Sequence, residues 1–214
     1  WEQAENAWKP IDIPGIDSRK ITRMIISGMG GSAICGDVIK NFLLHELRIP
    51  VMINRTYSIP GHADKNTMFI ASSYSGNTEE TISSLKLALE QRCPAIAMTT
   101  GGEIEKIALI YNIPVIKLQE GFQPRYALYN SCFTLLRILQ ELKLIKPQDE
   151  FVSRIIQGLK IKGEEYTREN NLAFQAASAL KGFVPVIYSI TDYNDSAGRR
   201  FKGQLNENSK VHAW

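Results

Sequence analysis

The chain has 214 residues, 44% hydrophobic and 22% charged, with a net charge of +3. That is enough apolar material to fill one core and part of a second, which excludes a disordered chain. The charge forms no basic block for nucleic acid or a membrane surface, no apolar run approaches the roughly 20 residues of a bilayer span, and Trp1 to Pro10 lack the layout of a secretory signal.

A small-molecule partner is therefore expected, with no nucleic acid and no membrane. Cys35, Cys93 and Cys132 are widely separated, with no CxxC pair and no histidine at metal-ligand spacing. Neither a disulfide framework nor a metal site is expected, and a reducing cytoplasm fits best. Residue one is Trp rather than Met, so a longer native N-terminus is expected.

From Ile21 to about Leu142, short apolar runs alternate with segments of helical period, the pattern of βαβ units feeding a parallel sheet. The predicted strands are Met24-Ile25-Ile26, Val51-Met52-Ile53, Met68-Phe69-Ile70-Ala71, Ala95-Ile96-Ala97-Met98 and Val115-Ile116. Their unalternating apolar character suits a sheet covered by helices on both faces. The intervening helices carry apolar stripes, such as Ile34, Val38 and Phe42, and Ile82, Leu85 and Leu89. These read as core.

The polar stretch Lys143 to Glu150, with Pro147 inside it, reads as an interdomain connection. The expected division is residues 1–147, a first domain with an N-terminal extension, and 148–214, the beginning of a second. The second part offers a helix from about Phe151, another near Glu164 to Leu180, a strand at Val184-Pro185-Val186-Ile187-Tyr188 and a helix from about Asn194. One strand with flanking helices cannot bury both its faces, so truncation is expected. The run Val184 to Ser189 also reopens the strand-loop-helix pattern of Met24 to Ala33.

Two loops carry candidate chemistry. The first strand runs into Gly28-Met29-Gly30-Gly31-Ser32-Ala33 and then a helix, which lets backbone N–H groups and the positive helix end face an anion. This spacing also fits a relaxed dinucleotide fingerprint. The second loop is Ser72-Ser73-Tyr74-Ser75-Gly76-Asn77-Thr78-Glu79-Glu80-Thr81, whose clustered hydroxyls before a helix can surround one phosphate. The plainer reading is that Asn77 or Thr78 caps that helix. At the second strand end, where a dinucleotide binder places an acid for the ribose, the chain reads Ile53-Asn54-Arg55. NAD loses support there, and Arg55 leaves a NADP-binding protein as a minor alternative.

The ordered pair Gly28-Met29-Gly30-Gly31-Ser32 and Ser73-Tyr74-Ser75-Gly76-Asn77-Thr78 resembles the loops of sugar isomerase (SIS) domains. With Gln123-Pro124-Arg125 and Gln204-Leu205-Asn206-Glu207-Asn208, the chain is similar along nearly its whole length to the bifunctional phosphoglucose/phosphomannose isomerases. The resemblance implies an α/β fold, an SIS-type parallel sheet with helices on both faces (flavodoxin-like, three-layer), followed by part of a second SIS domain. It implies an aldose-ketose isomerase acting on hexose 6-phosphates through an enediol, without a cofactor or metal.

By that resemblance, Gly30, Gly31 and Ser32 line the substrate pocket, Ser73, Ser75 and Thr78 hold the phosphate, Arg125 stabilises charge on the enediol oxygens, and Glu207 is the base, near the substrate and partly desolvated. It further implies a homodimer with the site near the interface. Family members continue to a histidine and a lysine for which this chain has no position, and His45, His62 and His212 read as surface or structural residues. The chain alone is thus expected to bind substrate and to be inactive. A non-catalytic phosphosugar-binding SIS regulatory domain is the alternative outside enzymes. It needs no Glu207, and no DNA-binding module is evident to accompany it.

Overall fold

The computed structural model describes residues 1–214. Five parallel strands, β1 (Arg23–Ser27), β2 (Val51–Asn54), β3 (Thr67–Ser72), β4 (Ala95–Thr99) and β5 (Val115–Lys117), form one sheet in the order β2-β1-β3-β4-β5. The five strands predicted between Met24 and Ile116 are all present. The register places Met24 opposite both Val51 and Met68, and Ile70 opposite Ile96.

Alternate side chains of the central strands enter two separate cores, as the two-residue strand period requires. Met24, Ile26, Met68, Ile70, Ile96 and Met98 face one core, closed by α1 (Glu2–Ala7), α2 (Gly30–Phe42), α5 (Leu128–Glu141) and α6 (Asp149–Tyr166). Ile25, Phe69, Ala71, Ala95 and Ala97 face the other, under α3 (Glu79–Glu90) and α4 (Gly102–Ile110). Both faces of β3 and β4 are covered, which explains their unbroken apolar runs. No helix is long and apolar enough to cross a membrane.

The part beyond α5 differs from the sequence reading in three respects. Helix α6, expected to open the second unit, packs on the first: Val152 is fully buried in the larger core and Phe151, Ile155, Ile156 and Leu159 pack around it. The helix expected from Glu164 to Leu180 is interrupted. Asn170 adopts a positive φ of 53°, and α7 (Leu172–Leu180) starts afresh with Asn171 accepting a capping bond from Phe174 N at 2.9 Å.

The run Val184 to Tyr188 forms no strand ladder. Its backbone makes two bonds to Trp214, with Ile187 N donating to Trp214 O at 2.7 Å and Trp214 N donating to Pro185 O at 3.0 Å. Pro185 has no N–H to give, and two bonds to one residue make a single pairing and no more. The predicted last helix is present as α8 (Asp195–Asn208).

Helix α8 docks on α2 through polar contacts. Asn41 Nδ2 donates to Asp195 Oδ1 at 2.7 Å and to Ser196 Oγ at 3.4 Å, while Arg199 pairs with Asp195 and lies 3.8 Å from Asp37. By contrast, Leu172, Phe174, Phe183, Val184, Val186 and Tyr188 are exposed.

Candidate active site

The chain leaves β1 toward β2 on one side and reaches β3 on the other, so the crevice between β1 and β3 is the topological switch point where open parallel sheets bind ligands. Both candidate loops open there, at the carboxyl ends of β1 and β3. They touch: a Cβ on Gly28 would lie 2.7 Å from Ser72 O, so only glycine lets them meet. Gly30 has φ +49° and opens α2, whose N-cap Met29 gives no side-chain bond, leaving the first-turn amides of Gly30 and Gly31 to the crevice.

The hydroxyl loop is braced from behind. Ser73 is 1% exposed; its Oγ accepts from Gly76 N at 3.1 Å and shares a hydrogen bond with Thr78 Oγ1 at 2.8 Å. Gly76 has φ +70° and lies so close to the β4–α4 turn that a Cβ would fall 1.7 Å from Gly101 O. Asn77 Oδ1 accepts from Glu103 N at 3.0 Å, and Tyr74 O accepts from Thr100 N and from its hydroxyl.

The simple capping alternative fails on this geometry. Thr78 is the N-cap residue of α3 yet makes no capping bond, and the Asn77 side chain serves α4 and Ser75 O instead. The α3 amides therefore remain available, beside an exposed Ser75 and a half-buried Thr78. Ser73 differs from these two, being turned inward and holding the loop's shape.

Tyr74 links this loop to the next functional segment. Its hydroxyl donates to Gln119 O at 2.9 Å and accepts from Phe122 N at 3.0 Å, just before the 3₁₀ turn Pro124–Tyr126. That turn leans on the glycine loop, with Pro124 O 3.2 Å from where a Cβ on Gly31 would be. Arg125 is half-buried; its guanidinium lies 5.6 Å from the Tyr126 ring centre, and its buried Nε has no partner.

Helix α8 reaches the same turn. Arg200 and Gln204 both donate to Arg125 O, Gln204 at 3.3 Å, and Tyr126 donates to Asn208 Oδ1 at 3.3 Å. Glu207 lies one residue before Asn208 and is exposed, in contrast to the desolvated carboxylate expected. The face of α8 that packs inward carries Arg200, Gln204 and Asn208, and nothing covers its neighbour.

Other groups have settled roles. Arg55 pairs with Asp37, which is 6% exposed, and so offers no free cation to a ribose phosphate. Asn54 turns inward, donating to Ser27 Oγ at 3.2 Å. His45, His62 and His212 are exposed, and His212 packs edge-on against Trp214. The three thiols are free and buried; burial pushes Cys35 up to about 12 and Cys93 up to about 11, so neither supplies a thiolate near neutrality. Sequence reasoning missed Tyr74 and Arg200. For Arg200 a signal existed, since residues 200, 204 and 208 recur every four positions on one helix face.

A family model, the bacterial phospho-glucose isomerase C-terminal SIS domain, matches residues 169–214. The chain is 38% identical to the bifunctional phosphoglucose/phosphomannose isomerase of Caldicellulosiruptor bescii over 220 residues, covering 100% of this chain and 65% of that protein. It is 32% identical to the D-glucosamine-6-phosphate 4-epimerase of Sulfolobus acidocaldarius, over 95% of this chain and 62% of that one.

Among solved structures, the C-terminal domain of glucosamine-fructose-6-phosphate aminotransferase from Francisella tularensis superposes with a TM-score of 0.65 at 15% identity, over 99% of this chain and 65% of that one, a likeness of fold. The chain spans between 57% and 65% of the length of the first curated relatives it matches. Along the whole of this chain the sequence is thus similar to the bifunctional phosphoglucose/phosphomannose isomerases, and its residues 169–214 match an SIS domain of a bacterial phospho-glucose isomerase.

Proposed function

We propose that the protein interconverts glucose 6-phosphate and mannose 6-phosphate with fructose 6-phosphate through an enediol. The observation that carries this reading is the meeting of the glycine loop, the hydroxyl loop, the Arg125 turn and the Glu207 helix around one switch-point crevice. The sugar phosphate sits against Ser75, Thr78 and the α3 amides, with Ser73 bonding through the same loop, and the sugar lies along Gly30, Gly31 and Ser32. Arg125 stabilises the oxyanion that develops as the enediol forms. Glu207 takes the proton from C2 of the aldose and returns it to C1, while the proton of the C2 hydroxyl passes to O1, giving the ketose. Both aldoses lose their one difference at C2 in the planar enediol, so one base serves both.

The second SIS unit starts after α6, near residue 169, since α6 shares the first core and the family match begins there. Its exposed apolar side chains, Phe183, Val184, Val186 and Tyr188 among them, favour burial against further chain or a second copy in a homodimer.

The test is NMR of fructose 6-phosphate in D₂O with the complete product of the gene. Deuterated glucose and mannose 6-phosphates are expected, and Glu207→Gln abolishes the exchange while sparing binding. Exchange retained in that variant removes Glu207 as the base. Binding without any turnover moves the assignment to a phosphosugar-sensing domain, and reaction of glucosamine 6-phosphate alone moves it toward the epimerase relative.

A further inference from the structure

Helix α8 presents Arg200, Gln204 and Asn208 on one face, four residues apart, and all three meet the Pro124–Tyr126 turn. Two of them converge on one atom, the carbonyl oxygen of Arg125. The residue that carries the candidate oxyanion stabiliser is thus held by the helix that carries the candidate base.

The electrostatics set Arg200 apart from an ordinary tether. The arginine ion pairs of the chain belong to Arg19, Arg55, Arg137 and Arg199. Arg125 and Arg200 have none, although Arg200 bonds the backbone of Arg125 and each keeps a buried Nε without a partner. Partial burial lowers the pKa of Arg200 from its ordinary value, and the Glu207 carboxylate opposes that shift.

We propose that Arg200 is a positioning residue for the isomerisation: with Gln204 it clamps the Arg125 carbonyl and so fixes the spacing between the Arg125 guanidinium and the Glu207 carboxylate. This rests on the isomerase reading above. Docking of α8 does not depend on the clamp, because Asn41, Asp195 and Arg199 hold the helix to α2 separately. Removing the clamp frees the turn while leaving α8 in place.

The experiment compares Arg200→Met, Arg200→Lys, Gln204→Ala and the control Asn41→Ala in the complete gene product, by steady-state kinetics with fructose 6-phosphate and by amide hydrogen exchange of the 122–128 segment. Misplacing a catalytic group by about 1 Å costs up to about 100-fold. Arg200→Met is expected to lower kcat about 10- to 100-fold with KM changed less than about 3-fold, the pattern of an interaction expressed in the transition state. Its 122–128 amides exchange faster. Arg200→Lys recovers part of kcat, and Gln204→Ala shows a smaller loss of the same kind.

A rise in KM at unchanged kcat would make Arg200 a substrate-binding residue and overturn the proposal, as would kcat and exchange both at the wild-type level. An equal loss of kcat in Asn41→Ala would reduce Arg200 to one of several docking contacts. If Arg200→Met does not fold, Gln204→Ala decides by the same two readouts. Failure of the wild-type protein to turn over any of the three hexose phosphates refutes the isomerase reading and the catalytic half of this proposal, while the exchange data still decide the clamp.

Discussion

Replacing Ser73 by alanine removes a hydroxyl that holds the phosphate loop from inside. In the native loop Ser73 Oγ accepts from Gly76 N at 3.1 Å and bonds Thr78 Oγ1 at 2.8 Å, in a position 1% exposed. Alanine removes the bond to Thr78 Oγ1 and one of the two acceptors of the Gly76 N–H, which keeps its 3.2 Å bond to Ser73 O, a loss of about 0.5–1.5 kcal/mol. For a chain of this size a loss of that order lowers Tm by roughly 1–6 °C.

Ser75 is the counterpart. Its hydroxyl is exposed and accepts only a 3.3 Å bond from Asn77 N, so Ser75→Ala changes stability by no more than about 0.5 kcal/mol. Its loss falls on the ligand instead, where one charge-assisted hydrogen bond of about 1.5–3 kcal/mol corresponds to roughly 10- to 100-fold in affinity. Thermal melts of both variants, with calorimetric titration of fructose 6-phosphate, separate the two roles. A Ser73→Ala protein that melts like wild type, or a Ser75→Ala protein that is the less stable of the pair, refutes the division between inner brace and outer ligand. Unchanged affinity in Ser75→Ala removes it from the phosphate site.

Gly76→Ala places a Cβ 1.7 Å from the Gly101 carbonyl at a φ of +70°, so it is expected to displace the β4–α4 turn and abolish phosphate binding, and calorimetry showing wild-type affinity contradicts the packing. Asp195 is held below the ordinary carboxylate range by hydrogen bonds from Arg199 and then Asn41. Its contribution to α8 docking is complete above the unfolded pKa of about 3.9 and is lost as pH falls through the lower folded value. The Asn41 side-chain amide resonance should therefore titrate with a midpoint below 3.8, and a midpoint at or above that value contradicts the contact. Burial raises Cys35 to about 12 and Cys93 to about 11, so the thiol form favours folding below the ordinary thiol range and that contribution fades as pH rises through those values. At pH 8 none of the three cysteines should react with an aromatic disulfide reagent until the chain is denatured, and prompt reaction of one locates an opening of the core.

The fold was legible because its determinants are local. Five apolar runs separated by helical periods specify a parallel sheet, and glycines at strand ends with hydroxyls ahead of a helix specify the two anion-facing loops. Residues 24–26, 68–71 and 95–98 could be assigned to strands from their neighbours alone, and the structure places each in the sheet. Family resemblance, rather than any physical property of their own, singled out Arg125 and Glu207, since an arginine after a proline and a glutamate on a helix are usually solvated.

Tertiary structure decided what distant segments do to one another. Nothing in the composition of Asp149–Tyr166 tells that Val152 enters the first core rather than opening a second, because an amphipathic stripe fits either surface. Ser73 and Ser75 look equivalent in sequence; the tight approach of Gly76 to Gly101 sets which hydroxyl points inward and which outward. The partnership of Arg200 with the Arg125 carbonyl spans 75 residues and exists only once α8 has docked beside the 3₁₀ turn. The sequence by itself determined the sheet, its loops and the chemistry those loops can offer, all of which follow from backbone geometry and local periodicity. Which side chains share one crevice, and which are spent on holding it open, was decided by long-range packing, because contact between segments depends on where the whole chain folds back on itself.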